Sequence, residues 1–151
     1  MGSQTAAGSA LAISVTSPAT ADATGYAALT FTDVGQVEKL GSIGASFAKV
    51  EFQPLKGAKQ KFKGSADYGA LQPSMELDSS DAGQAIMQTS ADDESKKLYS
   101  FRVTYPDGAK RYFGGRNFGM PEPADGADSM RTGAPTIEIC TKIVKAAAPT
   151  T

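Results

Sequence analysis

Apolar and polar residues alternate with a period of two along most of this chain, the pattern of half-buried strands. Leu11, Ile13 and Val15 form a short run of this kind, and residues 18–25 then read as a surface loop. Val34 to Leu40 and Phe47 to Leu55 are the next two expected strands, joined through Gly41-Ser42-Ile43-Gly44, and Lys59 to Tyr68 continues in extended form. Leu71, Pro73, Met75 and Leu77 alternate with Gln72, Ser74 and Glu76. The period then changes. Asp78-Ser79-Ser80-Asp81 offers capping oxygens, and Ala82, Ala85, Ile86 and Thr89 follow at helical spacing. That predicts one amphipathic helix whose core face is Ala82, Ala85 and Ile86. Tyr99, Phe101, Val103 and Tyr105 alternate again, Pro106-Asp107-Gly108 turns the chain, and Arg111-Tyr112-Phe113 returns it. Residues 114–133 are rich in glycine, with Pro121 and Pro123 among acids, and read as an irregular excursion or a bulged strand. Ile137, Ile139, Thr141 and Ile143 make the last strand. No internal repeat is visible at any period, which argues against a solenoid.

The pattern predicts a mainly β domain, an antiparallel sandwich or partly closed barrel flanked by one α-helix. At 151 residues and 40% hydrophobic composition the chain suits a single core. Residues 1–28 read as a flexible or assembly-ordered arm carrying a short strand, 29–145 as the domain, and 146–151 as a frayed tail. A formal charge of −1 argues against a general nucleic-acid binder, because such affinity is built from Lys and Arg on phosphates. Lys39 is the first basic residue, so the amino terminus lacks the charged region of a secretory signal. No apolar run approaches a bilayer-spanning length, and no membrane anchor is expected.

Catalytic chemistry finds little to work with. The absence of histidine removes Ser-His and Cys-His activation and most zinc sites. Ser46-Phe47-Ala48-Lys49 matches S-x-x-K, but strand alternation points its serine and lysine to opposite faces. Asp92-Asp93-Glu94 and the pair Asp125 and Asp128 lack the spaced oxygens of a calcium loop. No phosphate-loop frame surrounds Gly114-Gly115. Cys140, the single cysteine, reads as a buried or half-buried structural thiol. The alternating aromatics of residues 99–113 read as core rather than a base-stacking platform. No cofactor, metal or catalytic residue is assigned.

Charge patterning gives the strongest positive signal. Lys56, Lys59, Lys61 and Lys63 form a basic stretch, while Glu76, Asp78, Asp81, Asp92, Asp93 and Glu94 concentrate acid on and around the helix. Such runs are commonly solvated faces. Their sharper reading is complementarity between copies, which would fix orientation more than it adds affinity. Free strand edges add a second route to self-association, and an identical head-to-tail contact closes into a ring or grows into a filament.

The stretch KGSADYGALQPSMELDSSDAGQAIMQTSADDESKKLYSFRVTYPDGAKRYF resembles the tail tube proteins of long, non-contractile bacteriophage tails. The resemblance lies in a basic stretch leading to a KGS-type strand, a DxxDxGQ helix start, and a Y-F-V strand closed by a PDG turn. The opening SPATADATGYAALTFTDVGQVEKLGSIG and the strand TIEICTKIV are similar as well. The resemblance implies a virion structural protein, assembled in the host cytoplasm, that forms hexameric rings stacked into a hollow tube. DNA would pass through without specific binding. Tape measure, tail terminator and distal tail proteins are the implied partners, and Lys56 to Lys63 would lie in a loop reaching the adjacent ring. A conduit for DNA favours an acidic or neutral lining, so Glu38, Glu51, Glu76 and Glu138 are candidates for the bore. A tube subunit of a contractile tail or secretion-type machine is the alternative. From a different class, a monomeric β-sandwich binding module is disfavoured by the absence of tryptophan, and a hydrolase by the absence of histidine.

Overall fold

The computed structural model describes residues 7–41, 43–122 and 131–147. In chain order its elements are β1 (Ala10–Ser14), α1 (Ala23–Ala27), β2 (Thr32–Val34), β3 (Val37–Lys39), β4 (Ser46–Phe52), β5 (Gln60–Asp67), β6 (Ala70–Leu71) and β7 (Ser74–Glu76). There follow α2 (Ala82–Asp92), β8 (Tyr99–Thr104), β9 (Lys110–Asn117), β10 (Thr132–Gly133), β11 (Ile137–Ile139) and β12 (Val144–Ala146). Seven strands form one antiparallel sheet in the order β2-β1-β8-β9-β11-β6, with β12 also paired to β9. Strands β10, β7 and β3 form a second sheet, and β4 and β5 pair only with each other. The mainly antiparallel β class is as expected, and the described residues carry open sheets with two helices where one was expected.

The hairpin β8–β9 is the centre of the main sheet and folds for the reasons visible in its sequence. Gly108, at φ 96°, completes a tight turn in which its N–H donates to the Tyr105 carbonyl at 2.9 Å. The register places Phe101 opposite Phe113, with ring centroids 5.4 Å apart. One sheet face therefore carries Leu11, Ile13, Phe101, Val103, Phe113 and Ile137, all fully buried, against Met75 of the small sheet and Met87 of α2. The other face is crossed by the segment after β1. The Asp22 side chain caps α1 by accepting from Gly25 N–H at 2.7 Å, and Tyr26 then stacks on Tyr112 at 5.3 Å.

Several expected strands are divided, and in two of the three cases the chain changes sheet at the break. The run from Leu71 to Leu77 is two strands in different sheets. Pro73, buried between them, has no N–H to continue a ladder. Val34 to Leu40 likewise splits at Gln36, whose φ of 58° is the left-handed turn that carries β2 into β3. The expected last strand breaks between β11 and β12, which lie along one edge of β9, because Gly114 and Thr141 bond each other there.

Two further expectations are corrected. Residues 10–14 are not a loose arm before the core: β1 lies between β2 and β8, with Leu11 and Ile13 fully buried. The core face of the helix is Gly83, Gln84, Met87 and Ser90, whereas Ala82 and Ala85 are exposed and Ile86 is only partly buried. The register is displaced because a glycine and a glutamine, which hydropathy scores as polar, are the residues that touch the sheets. Residues 1–6, Ser42, Asp125, Asp128 and the tail 148–151 lie outside the described residues.

Candidate assembly interface

Among the described residues, strands β4 and β5 form a hairpin that pairs with no other strand, and every residue of the two strands except Gly64 is exposed. Its pairing sets Val50 opposite Phe62 and Phe52 opposite Gln60, with a register shift nearer the base between Phe47 and Lys49. Opposed residues of an antiparallel pair share a face, and alternate residues along a strand share one too. One face of the hairpin therefore carries Ala48, Val50, Phe52 and Phe62, and the other carries Lys49, Glu51, Lys61 and Lys63. Val50, Phe52 and Phe62 are 51%, 57% and 54% exposed. The tip is held by the Gln53 amide, which donates to the Pro54 and Gly57 carbonyls, and Leu55 there is fully exposed. A two-stranded hairpin with one apolar face is marginal in water by itself, and contiguous exposed apolar surface marks a binding face.

The charged face is tied together internally. Glu51 accepts from Lys49 at 2.9 Å and from Lys59 at 3.0 Å, and these two ammonium groups, Lys49 foremost, hold its pKa below the usual value. Lys63 lies over the Phe47 ring at 4.9 Å. Of the basic stretch, Lys56 and Lys59 thus belong to the hairpin turn, and Lys61 and Lys63 to β5. Of the bore candidates, Glu51 has its charge matched by Lys49 and Lys59, and its face of the hairpin is net positive. Among the other bore candidates, Glu38 is exposed on β3, Glu76 is half-buried on β7, and Glu138 sits on β11 opposite Arg116.

Much of the acidic set has structural work. Asp81 caps α2 by accepting from Gln84 N–H at 2.8 Å, and it also accepts from Gly35 N–H at 3.1 Å, tying the helix to the end of β2. Gln84, buried, donates to the carbonyls of Gly35 and Glu76 at 2.9 and 2.8 Å and accepts from Asp78 N–H at 2.9 Å. Asp78 is turned onto Ser80, whose hydroxyl and N–H lower its pKa. Gly83 is required by contact, since a Cβ there would overlap the Asp33 carbonyl oxygen and stand 2.6 Å from Val34 Cα. The DxxDxGQ run is therefore a lock between α2, β2 and β7. At the other end of the helix Asp93 accepts from Ser95 N–H at 2.8 Å and from the Tyr99 hydroxyl at 2.9 Å; Ser95 first and Tyr99 second depress its pKa. Asp92, bonded only to Gln88 on its own helix, and Glu94 remain exposed.

Sequence reasoning missed one feature beside the hairpin root, a cleft of about 620 Å³. Tyr68, Tyr105 and Ile143 supply its apolar wall, and Arg111, Lys142 and Lys145 its charge. The Arg111 guanidinium lies over the Tyr105 ring at 5.2 Å, and Lys145 is its cross-strand partner. These cations are scattered in the sequence and converge only through the pairing of β9 with β12. Cys140, expected to be a buried or half-buried thiol, is exposed in the break after β11, and its sulfur accepts from Arg116 at 3.4 Å.

No family model matches the chain, and no curated protein matches it. Solved structures do. A chain of an extracellular contractile injection system, the PVC sheath/tube terminator in the extended state, is similar with a TM-score of 0.66 at 9% identity, covering 97% of this chain and 99% of that one. A chain of the anti-feeding prophage (AFP) baseplate, 6-fold symmetrised, gives 0.67 at 5% identity over 93% and 91%. A chain of the PVC sheath-tube complex in the extended state gives 0.56 at 11% identity over 92% and 88%. At these identities the likeness is one of fold, and the chain has the β-rich fold of these contractile-system components.

Proposed function

We propose that this chain is a structural, non-enzymatic subunit that assembles with copies of itself into the tube of a contractile tail or injection machine. The observation that carries the reading is the β4–β5 hairpin, which presents Val50, Phe52 and Phe62 to solvent and pairs with no other strand among the described residues. A neighbouring copy would cover that face. The sequence resemblance pointed to long non-contractile tails. The structural neighbours come instead from contractile systems, and the reading follows them. The six-fold symmetry applied to the AFP baseplate supports rings of six copies, located in the tail of a phage-like particle. The tape measure, tail terminator and distal tail partners, and DNA as the cargo, rest on the sequence resemblance alone.

A second reading has its own support. One neighbour comes from a sheath/tube terminator, and a terminator would form a ring and add no further ring. Negative-stain microscopy of the purified chain at rising concentration separates these. Tubes support the tube subunit and single rings the terminator, whereas dispersed monomers at every concentration would leave a monomeric binding module as the better account.

A further inference from the structure

The cleft at the hairpin root gathers three cations, Arg111, Lys142 and Lys145, and no carboxylate of the described residues lines it. Among the described residues none of the three forms an ion pair. Like charges gathered on one cleft repel one another, and no opposite charge of the described residues offsets them there. The arrangement fits a partner that brings carboxylates on a short exposed turn.

The chain itself carries such a turn at the opposite end of the same sheet. Strands β8 and β9 run from the pair Tyr99 and Gly115 to the pair Thr104 and Lys110. Asp92, the last residue of α2, and Asp93 and Glu94 after it precede the first end, while Tyr105, Arg111 and Lys145 of the cleft lie at the second and Lys142 lies beside Gly114, nearer the first. Six residues of strand separate the ends by about 20 Å. Lys97, which follows the turn, lies over the Tyr99 ring at 5.1 Å. That span separates the turn from Arg111 and Lys145 of the same molecule, and a second copy stacked head to tail can bring its own turn to them.

We propose that the Arg111–Lys142–Lys145 cleft receives the acidic turn Asp92-Asp93-Glu94 of a second copy, with Asp92 and Glu94 as the charges that enter it. The contact rests on the self-assembly reading and adds to it a polarity. Each copy offers one turn and one cleft, so the contact repeated head to tail closes into a ring or grows into a filament. The complementary charge also rejects the reversed orientation, in which cleft would face cleft.

Charge reversal tests this by sedimentation velocity, with circular dichroism as the check on folding. Lys142→Glu with Lys145→Glu, or Asp92→Lys with Glu94→Lys, should each raise the concentration needed for assembly about tenfold or more at low salt. An equimolar mixture of the two double variants should co-assemble, and the chain carrying all four changes should recover self-assembly. If the folded double variants assemble like the parent, or if neither the mixture nor the fourfold variant recovers, the contact is wrong while self-assembly stands. A parent that stays monomeric at all concentrations would overturn the self-assembly reading, and this contact with it.

Discussion

Gly83→Ala sets helix propensity against packing, and the structure decides which wins. Within a helix, alanine is favoured over glycine by up to about 1 kcal/mol. Gly83 occupies the first turn of α2 and is buried against β2. The atoms its new Cβ would meet are the Asp33 carbonyl and Val34 Cα, which are backbone and cannot swing aside. Overpacking of that kind costs about 1–3 kcal/mol. Relief requires α2 to lift, which stretches the bonds from Gly35 N–H to Asp81 and from Gln84 to the Gly35 and Glu76 carbonyls. Each is worth about 1 kcal/mol. The balance is a net loss of about 3 kcal/mol. Urea unfolding followed by circular dichroism, at concentrations below assembly, measures it. Ala82→Gly, at an exposed position one residue earlier, should cost no more than about 1 kcal/mol. A Gly83→Ala chain as stable as its parent would show that the helix does not sit this close to β2.

The hairpin face should separate assembly from folding. Changing Val50, Phe52 and Phe62 to Ser removes side chains that could each bury roughly 60–100 Å² more in a partner, an upper limit of about 7 kcal/mol together. Sedimentation should therefore show assembly abolished, with the melting of the domain nearly unchanged. Acid should loosen the turns before the core. Asp78 and Asp93 have folded pKa values below 3.8, so their contribution is present above that value and is lost as pH falls through the lowered folded values. Asp93→Asn should flatten the part of the pH dependence that belongs to the Tyr99 turn, seen in near-ultraviolet circular dichroism between about pH 5 and pH 2.

How legible these features were depended on whether their cause was local. The β8–β9 hairpin is written in adjacent residues, an alternation and a Pro-Asp-Gly turn, and it formed as read. Pro73 and Gln36 are also local, but their effect, moving the chain from one sheet to another, depends on partners distant in sequence. The register of α2 was hidden because Gly83 and Gln84 are buried for contact and hydrogen bonding, which hydropathy does not score. The hairpin strands could be read from their alternation, yet nothing local distinguishes Val50 and Phe52 facing solvent from the same residues facing a core. The cleft was out of reach for a related reason, since Arg111, Lys142 and Lys145 meet only once β12 returns to β9.

The central claim is that the apolar face of β4–β5 packs on another copy of the chain. A photo-crosslinking residue in place of Phe52, a side chain that faces solvent, tests this at the point of contact. Irradiation under assembling conditions should give a ladder at multiples of the chain mass on a denaturing gel, lost on dilution and in the presence of the Val50→Ser, Phe62→Ser changes. An assembled sample that yields only uncrosslinked chain from position 52 would contradict the account, because the chain would then associate through some other surface.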